Sequence, residues 1–169
     1  IFTGVMDYKP NVDAVIWFVD ECWEQIRQQF PKAKFIIAGM NPTSEIQNLQ
    51  SQSGIEVTGF VEEILPYYHQ ADYFVAAFRL ARGVQNKVLQ AFACGIPVVT
   101  TPMGAEGIDC EDGEHLLLAN SGDEFVEKIT KLQQDDSLCE HLTNNALSLI
   151  QQQFSWEGKL RPLRQQIEG

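Results

Sequence analysis

The sequence predicts an α/β fold built on a doubly wound parallel sheet, and two observations carry that expectation. The runs KFIIAG (Lys34–Gly39), YFVAAF (Tyr73–Phe78) and PVVT (Pro97–Thr100) lack the polar alternation of a half-exposed strand. Each therefore reads as a strand covered on both faces. Segments with helical spacing lie between them, giving the order β-α-β-α-β-α-β-α-β, then a strand and helices. No Gly-x-Gly-x-x-Gly follows the first strand, which disfavours a dinucleotide-binding Rossmann domain.

Ile1–Gly4 reads as a short strand and residues 5–11 as a long loop, with Pro10 barring an early helix start. Val12, Val15, Ile16, Val19, Cys22, Trp23, Ile26 and Phe30 then recur at helical spacing, and Pro31 ends that helix. Gly39, just past the second strand, allows close backbone approach. Thr43 or Ser44 can cap a short helix ending near Ser53–Gly54, and Ile55–Thr58 is the third strand. Glu62–Gln70 reads as a short helix started or interrupted by Pro66, with Asp72 as a turn residue before the strand at Tyr73. The next helix starts near Val84–Lys87 and runs to Cys94, where Gly95 supplies the stop. Thr101–Asp112 is a loop and Leu116–Ala119 a last strand. Ser121 or Asp123 caps a helix carrying Phe125, Val126, Ile129 and Leu132. A further helix carries Leu138, Leu142, Ala146, Leu149 and Ile150, and Ser155 caps a final one with Trp156, Leu160 and Leu163.

At 169 residues the chain forms one domain, large enough to bury roughly 70% of its unfolded surface without metal or disulfide help. Net charge is −11, with 12 basic against 23 acidic residues, which argues against a nucleic-acid binder. Every apolar run falls far short of the roughly 20 residues that span a bilayer. The four cysteines (Cys22, Cys94, Cys110, Cys139) form no Cys-x-x-Cys pair, and the acidic stretch Asp109–Glu114 has its glycine misplaced for a calcium loop. Cys22 and Cys94 read as small core residues, and free thiols suggest a reducing, cytoplasmic setting. The chain opens on a strand without Met, as a fragment of a longer protein would.

Against this acidic background, Arg79, Arg82 and Lys87 crowd around a turn containing Gly83, at the end of one buried strand and the start of a helix. A helix N-terminus with unpaired N–H groups and basic side chains is an anion site. The carboxyl end of a parallel strand is where open α/β sheets bind ligands.

The stretch GVQNKVLQAFACGIPVV resembles the donor-site signature of the GT-B glycosyltransferases called glycosyl transferases group 1, typically E-G-x-G-x-x-x-x-E-A-M-A-x-G-x-P-V-V. Gly83, Ala91, Ala93, Gly95, Pro97, Val98 and Val99 match it. Arg82 and Gln90 stand where the two glutamates would be. The R-G-x-Q-N-K variant resembles sugar transferases linked to bacterial exopolysaccharide synthesis. The resemblance implies that residues 1–169 are the C-terminal, Rossmann-like half of a GT-B fold. That half is one nucleotide-sugar-binding domain, inactive alone, whose N-terminal acceptor domain is absent. It implies retaining transfer from a nucleoside-diphosphate sugar, with Arg82 and Lys87 as the catalytic cations. Arg79, Gly83, Val84, Gln90, Gly39 and Val61 would hold the donor, Gln90 at the ribose, and Lys9 lies one position from a family loop lysine. No metal or cofactor is expected. Implied partners are the donor and, through the other domain, a glycan or lipid-linked acceptor, with peripheral membrane association of the full protein. A nucleotide-sugar epimerase and a non-catalytic nucleotide-binding module are the alternatives. A flavodoxin-like receiver lacks its acids at Ile1–Gly4.

Overall fold

The computed structural model describes residues 1–153, so the helix expected after Ser155 lies outside the described residues. In chain order the elements are β1 (Phe2–Thr3), α1 (Lys9–Phe18), a π-helical turn (Val19–Trp23), α2 (Glu24–Gln29) and β2 (Phe35–Ala38). There follow α3 (Ser44–Asn48), β3 (Ile55–Val57), α4 (Leu65–Gln70), β4 (Phe74–Ala76), α5 (Asn86–Ala93) and β5 (Val98–Thr100). The last are β6 (Leu117–Leu118), α6 (Gly122–Gln134) and α7 (Asp136–Gln153).

Two parallel three-stranded ladders, β1-β2-β3 and β4-β5-β6, meet at the edge strands β1 and β4. The Ile1 nitrogen donates to the Tyr73 carbonyl at 2.9 Å, and the Val75 N–H donates to the Ile1 carbonyl at 3.1 Å. Those two bonds have the slanted spacing of a parallel pair, so the strands run in the order β3-β2-β1-β4-β5-β6. This is the doubly wound order of the Rossmann-like class, and the direction of winding reverses between β1 and β4. Right-handed crossovers then carry the chain outward in opposite senses on either side of that point, leaving a crevice above the carboxyl ends of β1 and β4.

The strands are short but deeply buried: Phe74, Val98 and Val99 have no exposed surface, and Phe2 is 1% exposed. Phe2 packs against Phe74 (6.1 Å between ring centroids) and Phe78 (5.7 Å), and Tyr68 stacks on Phe74. A second aromatic group, Phe18 with Phe35 at 4.9 Å and Phe125 at 5.9 Å, joins α1 to β2 and α6. Burying each of these side chains contributes roughly 1.5–3 kcal/mol.

Several element boundaries differ from the sequence expectation, each for a local reason. Pro10 does not bar the helix: α1 starts at Lys9 and holds Pro10 in its first turn, where a missing N–H costs nothing. The periodic stretch ending before Pro31 is interrupted by the π turn, whose Val19, Cys22 and Trp23 are all buried. Gly122 lets the start of α6 approach this turn, since a Cβ there would stand 2.6 Å from the Glu21 carbonyl. Thr43 caps α3 through its hydroxyl, and Ser121 caps α6 in the same way. Pro66 starts α4 rather than interrupting it, because the helix begins only at Leu65. Cys22 is a core residue, whereas Cys94, at the end of α5, is only half-buried.

Candidate functional site

The crevice between β1 and β4 is walled by the first turn of α1 on one side and the start of α5 on the other. Lys87, in the first turn of α5, sends its ammonium to the Asn11 Oδ1 of α1 at 2.7 Å. The same nitrogen lies 5.1 Å from the Phe2 ring centroid and 5.2 Å from that of Phe78, so two aromatic faces flank the charge. Burial in this setting lowers the Lys87 pKa from the ordinary lysine value to about 8. An ammonium has three donors, so two N–H bonds remain among the described residues after the one to Asn11.

Tyr68 supports the lysine from below. It is fully buried, its hydroxyl lies 2.7 Å from Thr3 Oγ1, and it donates to the Lys87 carbonyl at 3.4 Å. Burial pushes its phenol well above the usual tyrosine range, so it stays a neutral donor. Gly4 and Gly39 close the floor. A Cβ on Gly4 would stand 2.9 Å from Lys87 Nζ, and one on Gly39 would stand 1.7 Å from the Gly4 carbonyl oxygen. Both have positive φ, +148° and +150°.

At the start of α5, Gln85 makes no side-chain cap. Its carboxamide instead turns back to the carbonyls of Arg82 (3.3 Å) and Gly83 (3.4 Å), which braces the turn, and among the described residues no side chain accepts from the first N–H groups of the helix. Gly83 adopts φ +70°, the left-handed conformation this turn needs. Gly107 abuts Val84, where a Cβ would come within 2.7 Å of the valine methyl, so the loop after β5 adjoins the turn.

The basic cluster read from the sequence is divided by the fold. Arg79 is held by Asp13 of α1 through Nε at 3.1 Å and Nη2 at 2.6 Å, with its guanidinium 5.9 Å from the Trp17 ring. Half its side chain is exposed, and its charge is already matched. Arg79 therefore ties α1 to the end of β4 and is not an unpaired cation of the crevice. Arg82 stands exposed in the turn beside Gly83 and Val84, and Lys9 is the first residue of α1. Gln90 lies half-buried on α5, three residues after Lys87 and hence on its face of the helix. Val61 is half-buried past β3, next to Phe60, which is 68% exposed. Gly39 donates its N–H to Thr58 Oγ1 at 3.3 Å, which links the ends of β2 and β3 on the same edge of the sheet.

Two residues that position Lys87 were missed in the sequence. Asn11 reads there as loop, and Tyr68 as one of several aromatics in a short helix. Exposed apolar side chains also gather on this edge: Val5, Tyr8, Met40, Phe60, Leu80 and Val84 all follow the ends of β1 to β4. A cavity of about 840 Å³ lies elsewhere, among Trp23, Phe30, Lys34, Tyr67 and Tyr73. It opens at the amino ends of the strands, where open parallel sheets do not place their ligand sites.

A crevice at the switch point of a doubly wound parallel sheet, with a glycine turn and a lysine-bearing helix beside it, is the architecture of the Rossmann-like class. The family model described as glycosyl transferases group 1 matches residues 1–135, and the chain belongs to that family. It is 25% identical over 162 residues to an uncharacterised 44.6 kDa protein of the cps region in Klebsiella pneumoniae, covering 91% of this chain and 42% of that protein. An uncharacterised glycosyltransferase of Methanocaldococcus jannaschii, MJ1069, is 24% identical over 147 residues, covering 81% of this chain and 38% of the relative. The chain thus spans about two-fifths of the length of these curated relatives. Among solved structures, Anabaena Alr3699/HepE in complex with UDP and glucose superposes with a TM-score of 0.74 at 16% identity, over 99% of this chain and 47% of that one. The likeness is one of fold.

Proposed function

We propose that this chain is the donor-binding domain of a glycosyltransferase, holding the diphosphate of a nucleoside-diphosphate sugar at Lys87 and the start of α5. The observation that carries the reading is the Lys87 ammonium, half-buried at the switch crevice with two donors left over, on the helix that bears the family signature. As the glycosidic bond to the leaving diphosphate breaks, negative charge grows on the phosphates and positive charge on the sugar carbon. A preoriented ammonium and aligned N–H dipoles lower that barrier, and exposed Arg82 can add a second cation. Gln90 is assigned to the ribose, Gly39 and Val61 to the nucleoside side of the edge, and Gly83 and Val84 to the phosphate turn. In this reading the protein's own cations do the neutralising, without a metal.

Transfer with retention, a role in exopolysaccharide or other glycan synthesis, and a glycan or lipid-linked acceptor bound by a further domain belong to the same proposal. So does a cytoplasmic setting with peripheral membrane association. No helix among the described residues is long and apolar enough to cross a membrane. The relatives' UDP-bound structures and the cps-region location of one relative support this reading by analogy. A second reading, a nucleotide-binding module without catalysis, is favoured by the loss of both signature glutamates at Arg82 and Gln90. Binding without turnover by the longest natural form of the protein selects it.

Calorimetry of the chain with UDP, GDP and ADP tests the core of the proposal. Binding of at least one diphosphate, much tighter than its nucleoside, is expected, and failure of all three overturns it. Two quantitative expectations accompany it. Lys87 becomes neutral above about pH 8, whereas a phosphate's second ionisation, near 6, is complete well below that. Affinity is therefore full at pH 7 and falls as pH rises past 8, by up to about tenfold per unit, until the pKa of the bound lysine is reached. A flat profile from pH 7 to 9.5 refutes the phosphate role of Lys87.

For Gln90, a glutamate would accept from both ribose hydroxyls, and ionised acceptors make bonds roughly twice as strong as neutral ones. Repulsion from the diphosphate at about 8 Å is about 2 kcal/mol per charge pair at an effective dielectric near 20, and the neighbouring cations offset most of it. Gln90→Glu should therefore tighten diphosphate binding by about 1 kcal/mol, near fivefold, and leave a 2′,3′-dideoxy analogue unaffected. An equal change for both ligands removes Gln90 from the ribose.

A further inference from the structure

We propose that Asn11 is the positioning residue of this crevice: its carboxamide, anchored on the Val5 carbonyl, holds the Lys87 ammonium at the switch point without neutralising it. The proposal rests on the reading of Lys87 as the diphosphate ligand. Asn11 is a polar residue, 3% exposed, in the first turn of a helix whose other buried residues are apolar. Its Nδ2 donates to the Val5 carbonyl at 3.0 Å and its Oδ1 accepts from Lys87 Nζ at 2.7 Å. The two partners fix the amide's orientation, because a carbonyl can only accept and an ammonium can only donate.

The chemistry of the position selects an amide. A leucine would give the ammonium no acceptor in a half-apolar setting. An aspartate would meet the Val5 carbonyl with a second acceptor and would pair with the lysine, cancelling the charge a phosphate needs. An asparagine satisfies one acceptor and one donor and adds no charge. The backbone is shaped around the pair, since a Cβ on Gly4 would stand 2.6 Å from Asn11 Nδ2 and 2.9 Å from Lys87 Nζ. Among the described residues, no charged group on the adjoining elements pairs with the ammonium. Asp13, two residues along α1, is taken by Arg79 from the end of β4, Lys9 is at the start of α1, and the other titratable contact is the buried Tyr68 hydroxyl on the Lys87 carbonyl. Burial alone accounts for the lowered basicity of Lys87.

The test separates this role from a purely structural one. The Lys87 Nζ titration is followed by lysine-labelled 13Cε and 15Nζ NMR in the 169-residue chain, with the Lys87→Met protein assigning the signal and UDP as the probe ligand. Asn11→Ala removes the acceptor and should move the Lys87 midpoint down by about one pH unit. The near-isosteric Asn11→Asp should move it up by a unit or more, yet weaken UDP binding at pH 7 at least tenfold. Asn11→Ala should weaken UDP severalfold in the wild-type background and have no further effect beside Lys87→Met. Opposite shifts with loss of affinity support the proposal, and Asn11→Asp serves alone if the alanine variant does not fold. An unmoved Lys87 midpoint in a folded variant, or equal UDP losses with and without Lys87, overturns it. If the midpoints shift as stated while the wild-type chain binds no UDP, Asn11 positions the lysine but the diphosphate reading fails.

Discussion

Replacing Lys87 by methionine is expected to weaken nucleoside diphosphate binding roughly 10- to 100-fold, with almost no change in the stability of the unliganded protein. The two effects have separate origins. A charge-assisted contact to phosphate contributes about 1.5–3 kcal/mol, and the methionine has no donor to replace it. Folding, in contrast, already opposes the charge. Depressing a lysine from its ordinary value to about 8 costs of order 3 kcal/mol at neutral pH, and a methionine avoids that cost while filling a similar volume. The offset is the Asn11 carbonyl, which loses its partner in a site where Asn11 is 3% exposed, a loss of about 1–3 kcal/mol. Gain and loss nearly cancel. Urea denaturation alongside UDP calorimetry checks both halves, and an affinity within twofold of the wild type refutes the assignment.

Gly39→Ala is expected to damage the fold more than any other alanine substitution on this edge. A Cβ at this position would stand 1.7 Å from the Gly4 carbonyl oxygen and 2.8 Å from its carbon, both backbone atoms. No rotamer change can relieve such a contact. Strands β1 and β2, hydrogen-bonded there by the Gly4 N–H to the Ala38 carbonyl at 3.0 Å, would have to separate. Adding the strain of a positive φ, the loss is at least about 3 kcal/mol. For a chain of this length that lowers the melting temperature by roughly 6–12 °C. Gly113→Ala is the control, because it has a positive φ and open space around its Cβ, so only the local conformational cost of roughly 1–2 kcal/mol applies. A Gly39→Ala protein melting within 2 °C of the wild type would mean that the strand ends are not packed as described.

The glycine turn at Gly83 and the helix that Gly95 ends were legible in Gly83–Val99 because they are contiguous: a turn, a helix start and a helix stop are local events. The strands at Lys34, Tyr73 and Pro97 were legible for a related reason, since double burial removes polar residues from every position of a short run. Pro10 was misread because its effect depends on its position in the helix, and it is harmless in the first turn. The grouping of Arg79 with Lys87 as like cations followed sequence proximity, whereas Arg79 is paired with Asp13, 66 residues away, which the sequence did not disclose. The π turn left no trace in a pattern whose period hardly differs over one turn.

By itself, the sequence determined the alternation of strands and helices, the sheet class, and Lys87 as the cation at the start of the signature helix. Each of these is a property of residues within one turn or one strand of each other. The tertiary structure decided which cation is paired with a carboxylate and what holds Lys87 in place. Strand order brings the first turn of α1 against the start of α5, so Asn11 meets Lys87 across 76 residues while Asp13 takes Arg79. An asparagine in a loop and one buried against an ammonium are the same letter in a sequence. Only the packing of β1 beside β4 makes them different.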